Sequence, residues 1–135
     1  MKVTLGDIQN SKDILGRLAN TDMPIKTSFE LARLIKKLNE EYVAIEECRT
    51  RLIQEHGEEI ENANMRVVPG TEGFDSFMKA YSEFMLTEID IPVSPIEINI
   101  NHTNAQVKPI DIIAIEKFVN FTGIEKEVVD NASAE

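Results

Sequence analysis

The sequence predicts an α+β, mainly helical protein: a long helix in an antiparallel helical hairpin, with a small bent β ribbon and a C-terminal helix. Three observations predict it. Apolar residues recur at spacings of four and three from Leu31 to Leu52. The stretch EIDIPVSPIEINI, Glu88–Ile100, alternates apolar and polar residues with the period of a strand. Pro24, Pro69, Pro92, Pro95 and Pro109 all fall between periodic segments, as residues that break helices and ladders must.

The length of 135 residues suits one domain large enough to bury a core. That domain is expected over 1–123, with 124–135 as a frayed acidic tail rich in small polar residues. Near the start, Val3 and Leu5 read as a short strand or extended chain. Ser11 can cap a short helix in SKDILGRLAN, with Ile14, Leu15 and Leu18 on one face. Asn20, Thr21 and Asp22 break that pattern.

The long helix lies in PIKTSFELARLIKKLNEEYVAIEECRTRLIQEHG and starts between Pro24 and Ser28. Thr27 and Glu30 have capping-box spacing, and Gly57 is placed to stop it. Its apolar residues Leu31, Ile35, Leu38, Tyr42, Ile45 and Leu52 form a seam, interrupted where Arg49 takes the next seam position. A helix of about thirty residues greatly exceeds the mean of about eleven or twelve. The seam therefore calls for an antiparallel helix of the same chain or for a second subunit.

Glu58–Gly73 reads as a loop, with a short strand at Met65–Val68 and a turn at Pro69-Gly70. The segment FDSFMKAYSEFMLTEI reads as the second helix and hairpin partner, with Phe74, Phe77, Met78, Tyr81, Phe84 and Met85 on a wide apolar face. In the ribbon, Ile89, Ile91 and Val93 fall on odd positions but Ile96, Ile98 and Ile100 on even ones. One straight strand cannot bury both sets, and the prolines confine the stretch to an edge or a bend. Two strands are expected, near Glu88–Pro92 and Ile96–Asn101. Their expected partners are Val3–Leu5, Met65–Val68 or a neighbouring subunit, which would make this isoleucine-rich edge a partner-binding surface. After it, PIDIIAIEKFVNFTG reads as a third helix, with Ile110, Ile113, Ala114, Phe118 and Phe121 on one face and Gly123 as its stop.

Residues 1–57 carry nine Lys/Arg and nine Asp/Glu, whereas residues 58–135 carry five against fifteen, which accounts for the net charge of −10. An acidic half repels a phosphate backbone, so direct nucleic-acid binding is not expected. No apolar run approaches the roughly 18–20 residues of a membrane span, and MKVTLGDIQNSKD lacks the apolar core of a signal peptide. The single Cys48 fits a reduced compartment and a small buried hydrophobe. His56 and His102 belong to no metal-ligand spacing, phosphate-binding glycine loops are missing, and adjacent glutamates diverge around a helix. The expectation is a non-enzyme without catalytic, cofactor or metal residues.

Taken together, MKVTLGDIQNSKDILGRLANTDMPIKTSFELARLIKKLNEEY, TEIDI after the second helix and the closing PIDIIAIEKF resemble a family of small uncharacterised proteins of tailed bacteriophages and prophages. The resemblance implies a phage-encoded protein of the structural or assembly genes, located in the bacterial cytoplasm and the virion. It implies self-association or contact with other phage proteins, and it carries no functional residue over. The other expectation is a small acidic inhibitor of a host defence or nucleic-acid-binding system, since complementary charge steers association.

Overall fold

The computed structural model describes residues 1–59 and 65–123. The tail expected at 124–135, and positions 60–64 of the expected loop, lie outside the described residues. The elements run β1 (Lys2–Thr4), α1 (Leu5–Leu18), α2 (Ile25–His56), β2 (Glu58–Glu59), β3 (Met65–Arg66), α3 (Glu72–Met85), β4 (Glu88–Asp90), β5 (Ile96–Asn99), a 3₁₀ turn (Ile100–His102), α4 (Pro109–Ile115) and β6 (Val119–Thr122). This is the mainly helical α+β architecture that the sequence predicts.

The spine is α2, whose 32 residues extend about 48 Å at 1.5 Å per residue. It begins directly after Pro24, without a side-chain cap. Thr27 and Glu30 therefore lie inside the helix and form no capping box, because the chain is already helical two residues earlier. Gly57 ends it in extended conformation. A Cβ at Gly57 would collide with the backbone of Ile53 and Arg66, so glycine is what lets β3 pass so close to the helix end. Both α1 and α3 pack on α2, and β5 packs on it as well.

α1 starts at Leu5, six residues before the expected cap at Ser11. The cap is Thr4: its Oγ1 accepts from Asp7 N at 3.0 Å, and Asp7 Oδ2 accepts from Thr4 N at 2.9 Å. This reciprocal pair satisfies two donors that would otherwise be orphaned and outcompetes a serine buried in mid-helix. α3 is capped the same way on one side, with Thr71 Oγ1 accepting from Phe74 N at 3.1 Å. Phe77 is its buried anchor and stacks on Tyr81 at 5.6 Å between ring centroids.

The ribbon divides as its phase flip requires. β4 pairs antiparallel with β1 in the register Lys2↔Asp90, Val3↔Ile89 and Thr4↔Glu88. β5 pairs in parallel with β6, from Ile96↔Val119 to Asn99↔Thr122. Met65–Arg66 pairs with Glu58–Glu59 and contributes nothing to the ribbon. The corner at Pro92–Pro95 lets Ile91 from the odd set and Ile96 and Ile98 from the even set enter one core. That core also takes Val3, Leu5, Ile8, Ile14, Leu15 and Leu18 from the N-terminus, and Ile115, Phe118 and Val119 from the far end.

The third helix is shorter than expected. It stops at Ile115, and Val119–Thr122, read as its continuation, is β6. A parallel pair needs a crossover, and here the 3₁₀ turn, the following loop and α4 supply it. Phe118 and Phe121 have helical spacing, but β5 offers them a ladder and a core that a continued helix would leave open. Gly123 thus follows a strand: it adopts φ +92, and a Cβ there would come within 2.9 Å of the Asn99 and Asn101 side chains.

Candidate functional site

The seam residues are taken up inside the chain. Leu31, Leu38, Tyr42 and Ile45 are buried, Ile35 packs on the same core, and Leu52 is half-buried further along α2. The expected oligomer seam is therefore the inner face of α2, covered by α1, α3 and β5. Its polar member is anchored. Ser11 Oγ donates to Ile8 O at 2.7 Å and lies 3.1 Å from Tyr42 Oη. A serine hydroxyl has one proton, so Tyr42 is the donor to Ser11. Burial raises the Tyr42 pKa.

The β-edge residues also face inward. Ile91, Ile96 and Ile98 are buried, and Ile89, Val93 and Ile100 are half-buried. Among the described residues, β4 and β5 each pair on one side alone. Any strand added there would meet backbone groups and polar side chains, with Ile91, Ile96 and Ile98 already in the core and Ile89 and Val93 packed against it. The start of β1 is tied to this region: the Met1 amino group donates to Asp90 Oδ1 and to Ile91 O, each at 2.9 Å. That amino group holds the Asp90 carboxyl below its usual range.

Large apolar side chains are exposed at Ile25, Phe29 and Val43 on α2, at Met78 on α3 and at Leu86 just after it, and three more crowd onto the short α4. Five of its seven residues are apolar, more than one buried face of two turns can accept. Ile115 is buried, whereas Ile110 is 64%, Ile113 60% and Ile112 42% exposed. By spacing alone, Ile110 and Ile113 belong on the buried face of a longer helix. The crossover into β6 instead rotates Ile115 and Phe118 inward and turns those two isoleucines out.

Two ion pairs fix α4 antiparallel along α1. Lys117 Nζ meets Asp7 Oδ2 at 2.7 Å at the start of α1, and Arg17 meets Asp111 Oδ2 at 2.8 Å at its end. Each aspartate also accepts from a backbone N–H at the start of its own helix, Thr4 N or Lys108 N. Arg17 in the last turn of α1 and Asp111 in the first turn of α4 suit both helix dipoles. Burial pushes the Asp7 carboxyl up, but the hydrogen bonds from Lys117 and Thr4 outweigh it and the pKa is lowered. Asp111 is lowered by its bond from Lys108 N and then by Arg17, while Asp7 raises the Lys117 pKa.

Between the two helices runs a groove of about 610 Å³. One flank of α1 lines it with Asp7, Asn10, Asp13, Ile14 and Arg17, and α4 faces it with Ile110, Asp111, Ile113 and Ala114, with Glu116 just beyond. Sequence reasoning missed this groove because Asp7 and Lys117 are far apart in the chain. The crowding of isoleucines in PIDIIAI was the legible signal. A shallower groove follows one stripe of α2 through Asn39, Tyr42, Val43, Glu46 and Thr50, beside Lys12.

The remaining reactive groups are scattered. His56 ends α2 and His102 lies beside Asp22, Met23 and Pro24 at its start, so the length of α2 separates them. Cys48 is half-buried and free. Among the described residues, His, Cys, Asp and Glu form no group of three that could hold a metal. Among them, too, no helix is long and apolar enough to cross a membrane. Compared with family models, with curated proteins and with solved structures, the chain matches none.

Proposed function

We propose that this chain is a phage-derived, non-enzymatic structural or assembly protein that acts through protein–protein contacts. The observation that carries the reading is the α4 surface: Ile110 and Ile113 are displayed on a helix that ion pairs clamp at both ends. Exposed apolar residues on a rigid, polar-rimmed support are what a protein-binding surface needs. The resemblance to tailed-phage proteins supports the same reading. So does the use of the perturbed carboxylates Asp7, Asp90 and Asp111 in caps and ion pairs, which leaves them engaged in holding the fold.

Because the α2 seam is filled from within, the contacts belong to the outer surface of α4 and α1. The test is sedimentation of extracts from infected or induced cells, followed by immunodetection of this protein. Co-sedimentation with particles or assembly intermediates is expected, and confinement to the slowest fractions contradicts an assembly role. The second reading is an acidic inhibitor of a host protein, favoured by the excess of carboxylates over residues 58–135. In that case the protein co-sediments with a host component in cells that make no particles.

A further inference from the structure

Resting on the interaction function proposed above, we infer that the α1–α4 groove is the docking site for a cationic amphipathic helix of a partner protein. Shape comes first. The groove follows α1 from Asp7 to Arg17, about 15 Å at 1.5 Å per residue, the span of roughly three helical turns. Its floor holds Ile14 and Ala114, and one wall carries the exposed Ile110 and Ile113. An apolar face read at i, i+3 and i+4 spacing fits such a trough, whereas an extended strand would find no ladder to join.

Charge then selects the occupant. Four carboxylates line or border the groove, on Asp7, Asp13, Asp111 and Glu116, against two cations, Arg17 in its lining and Lys117 bound to Asp7 at its border. Asp7 and Asp111 are held by Lys117 and Arg17. Among the described residues, Asp13 and Glu116 form no ion pair, so the rim keeps an unmatched negative charge on α1 and another just past the end of α4. A partner helix bearing Lys or Arg beside its apolar stripe satisfies both features at once. A second copy of this chain does not, because it would bring together two molecules of net charge −10 and two sets of the same carboxylates.

The test uses the intact, isotope-labelled chain in an NMR titration at low salt. The probe is a synthetic peptide of about fourteen residues, leucine on one helical stripe and lysine elsewhere. Amide shifts are expected to gather on residues lining the α1 flank and on α4. Ile110→Ser with Ile113→Ser, and separately Asp13→Lys with Glu116→Lys, are each expected to weaken binding about tenfold or more. All four residues lie outside the core, so circular dichroism of both variants should match the parent.

Equal binding of a scrambled peptide of the same composition overturns the inference, as does a shift map centred on Val43 or on Ile25 and Phe29. Shifts of the groove residues with rising protein concentration and no peptide assign the groove to a second copy, and also overturn it. The groove assignment and the interaction reading fail separately. If the serine variant still captures its cellular partner undiminished, the groove assignment falls and the interaction reading stands. If the intact chain has no partner, the interaction reading falls.

Discussion

The buried Tyr42–Ser11 pair offers a prediction whose magnitude follows from the structure. Ser11 is fully buried and Tyr42 is 7% exposed, and they join α1 to the middle of α2. Since Ser11 Oγ spends its proton on Ile8 O, Tyr42→Phe removes the one donor that Ser11 accepts from. The expected cost is about 1 kcal/mol, the net value of a buried neutral hydrogen bond. Ser11→Ala leaves the Tyr42 hydroxyl without its acceptor, costing about 1–3 kcal/mol, offset by about half a kcal/mol of better helix propensity. The double variant strands neither group, so its cost should fall below the sum of the single costs by about 1 kcal/mol. Urea unfolding of the four proteins measures that coupling. An additive cycle, with coupling within about 0.3 kcal/mol of zero, would refute the Tyr42–Ser11 hydrogen bond. The same pair sets an alkaline limit. Burial raises the Tyr42 pKa above its ordinary value, so this contribution is complete below about pH 10 and is lost as pH climbs through the raised value. Tyr42→Phe removes that part of the alkaline loss.

The opposite end of the pH scale tests the α1–α4 clamp. Asp7 and Asp111 titrate below their ordinary value, so their stabilising effect is complete above about pH 4 and disappears as pH falls through the lowered values. Amide exchange of α4 should accelerate there before that of α2, and Asp7→Asn should show a smaller acid-dependent change; an unchanged acid response in that variant contradicts the assignment. Gly73 carries a third prediction with a sign of its own. Glycine to alanine in a helix ordinarily stabilises by about 0.5–1 kcal/mol, but a Cβ at Gly73 would strike His56 O at the end of α2. Gly73→Ala should therefore destabilise, by about 1–3 kcal/mol in thermal or urea unfolding, and a stabilised variant would show that the two helix ends are not so closely apposed.

Much of this fold was legible in the sequence because its signals are local. The rhythm from Leu31 to Ile45, the stop at Gly57 and the phase flip around Pro92 and Pro95 each state one element or one bend. The pairing of Glu88–Asp90 with Lys2–Thr4 was among the partners that the alternation left open. What escaped depends on the whole chain. Val119–Thr122 is too short for its alternation to outweigh the helical spacing of Phe118 and Phe121, and only β5 makes it a strand. Ser11 looks like a cap until Thr4 and Asp7 close theirs. The candidate surface was hidden for the same reason. Ile110 and Ile113 read as core until α4 is seen to end at Ile115, and the clamp joins Asp7 to Lys117 across most of the sequence.

The central claim is that this protein works by holding another protein on the α1–α4 face. Its most direct test is quantitative affinity capture with the intact chain from infected or lysogenic cells, run beside the Ile110→Ser, Ile113→Ser variant. One discrete protein is expected in fixed proportion, carrying a cationic amphipathic helix, and recovered at least about tenfold less with the variant. Recovery of no protein above background, or equal recovery by parent and variant, would contradict the claim.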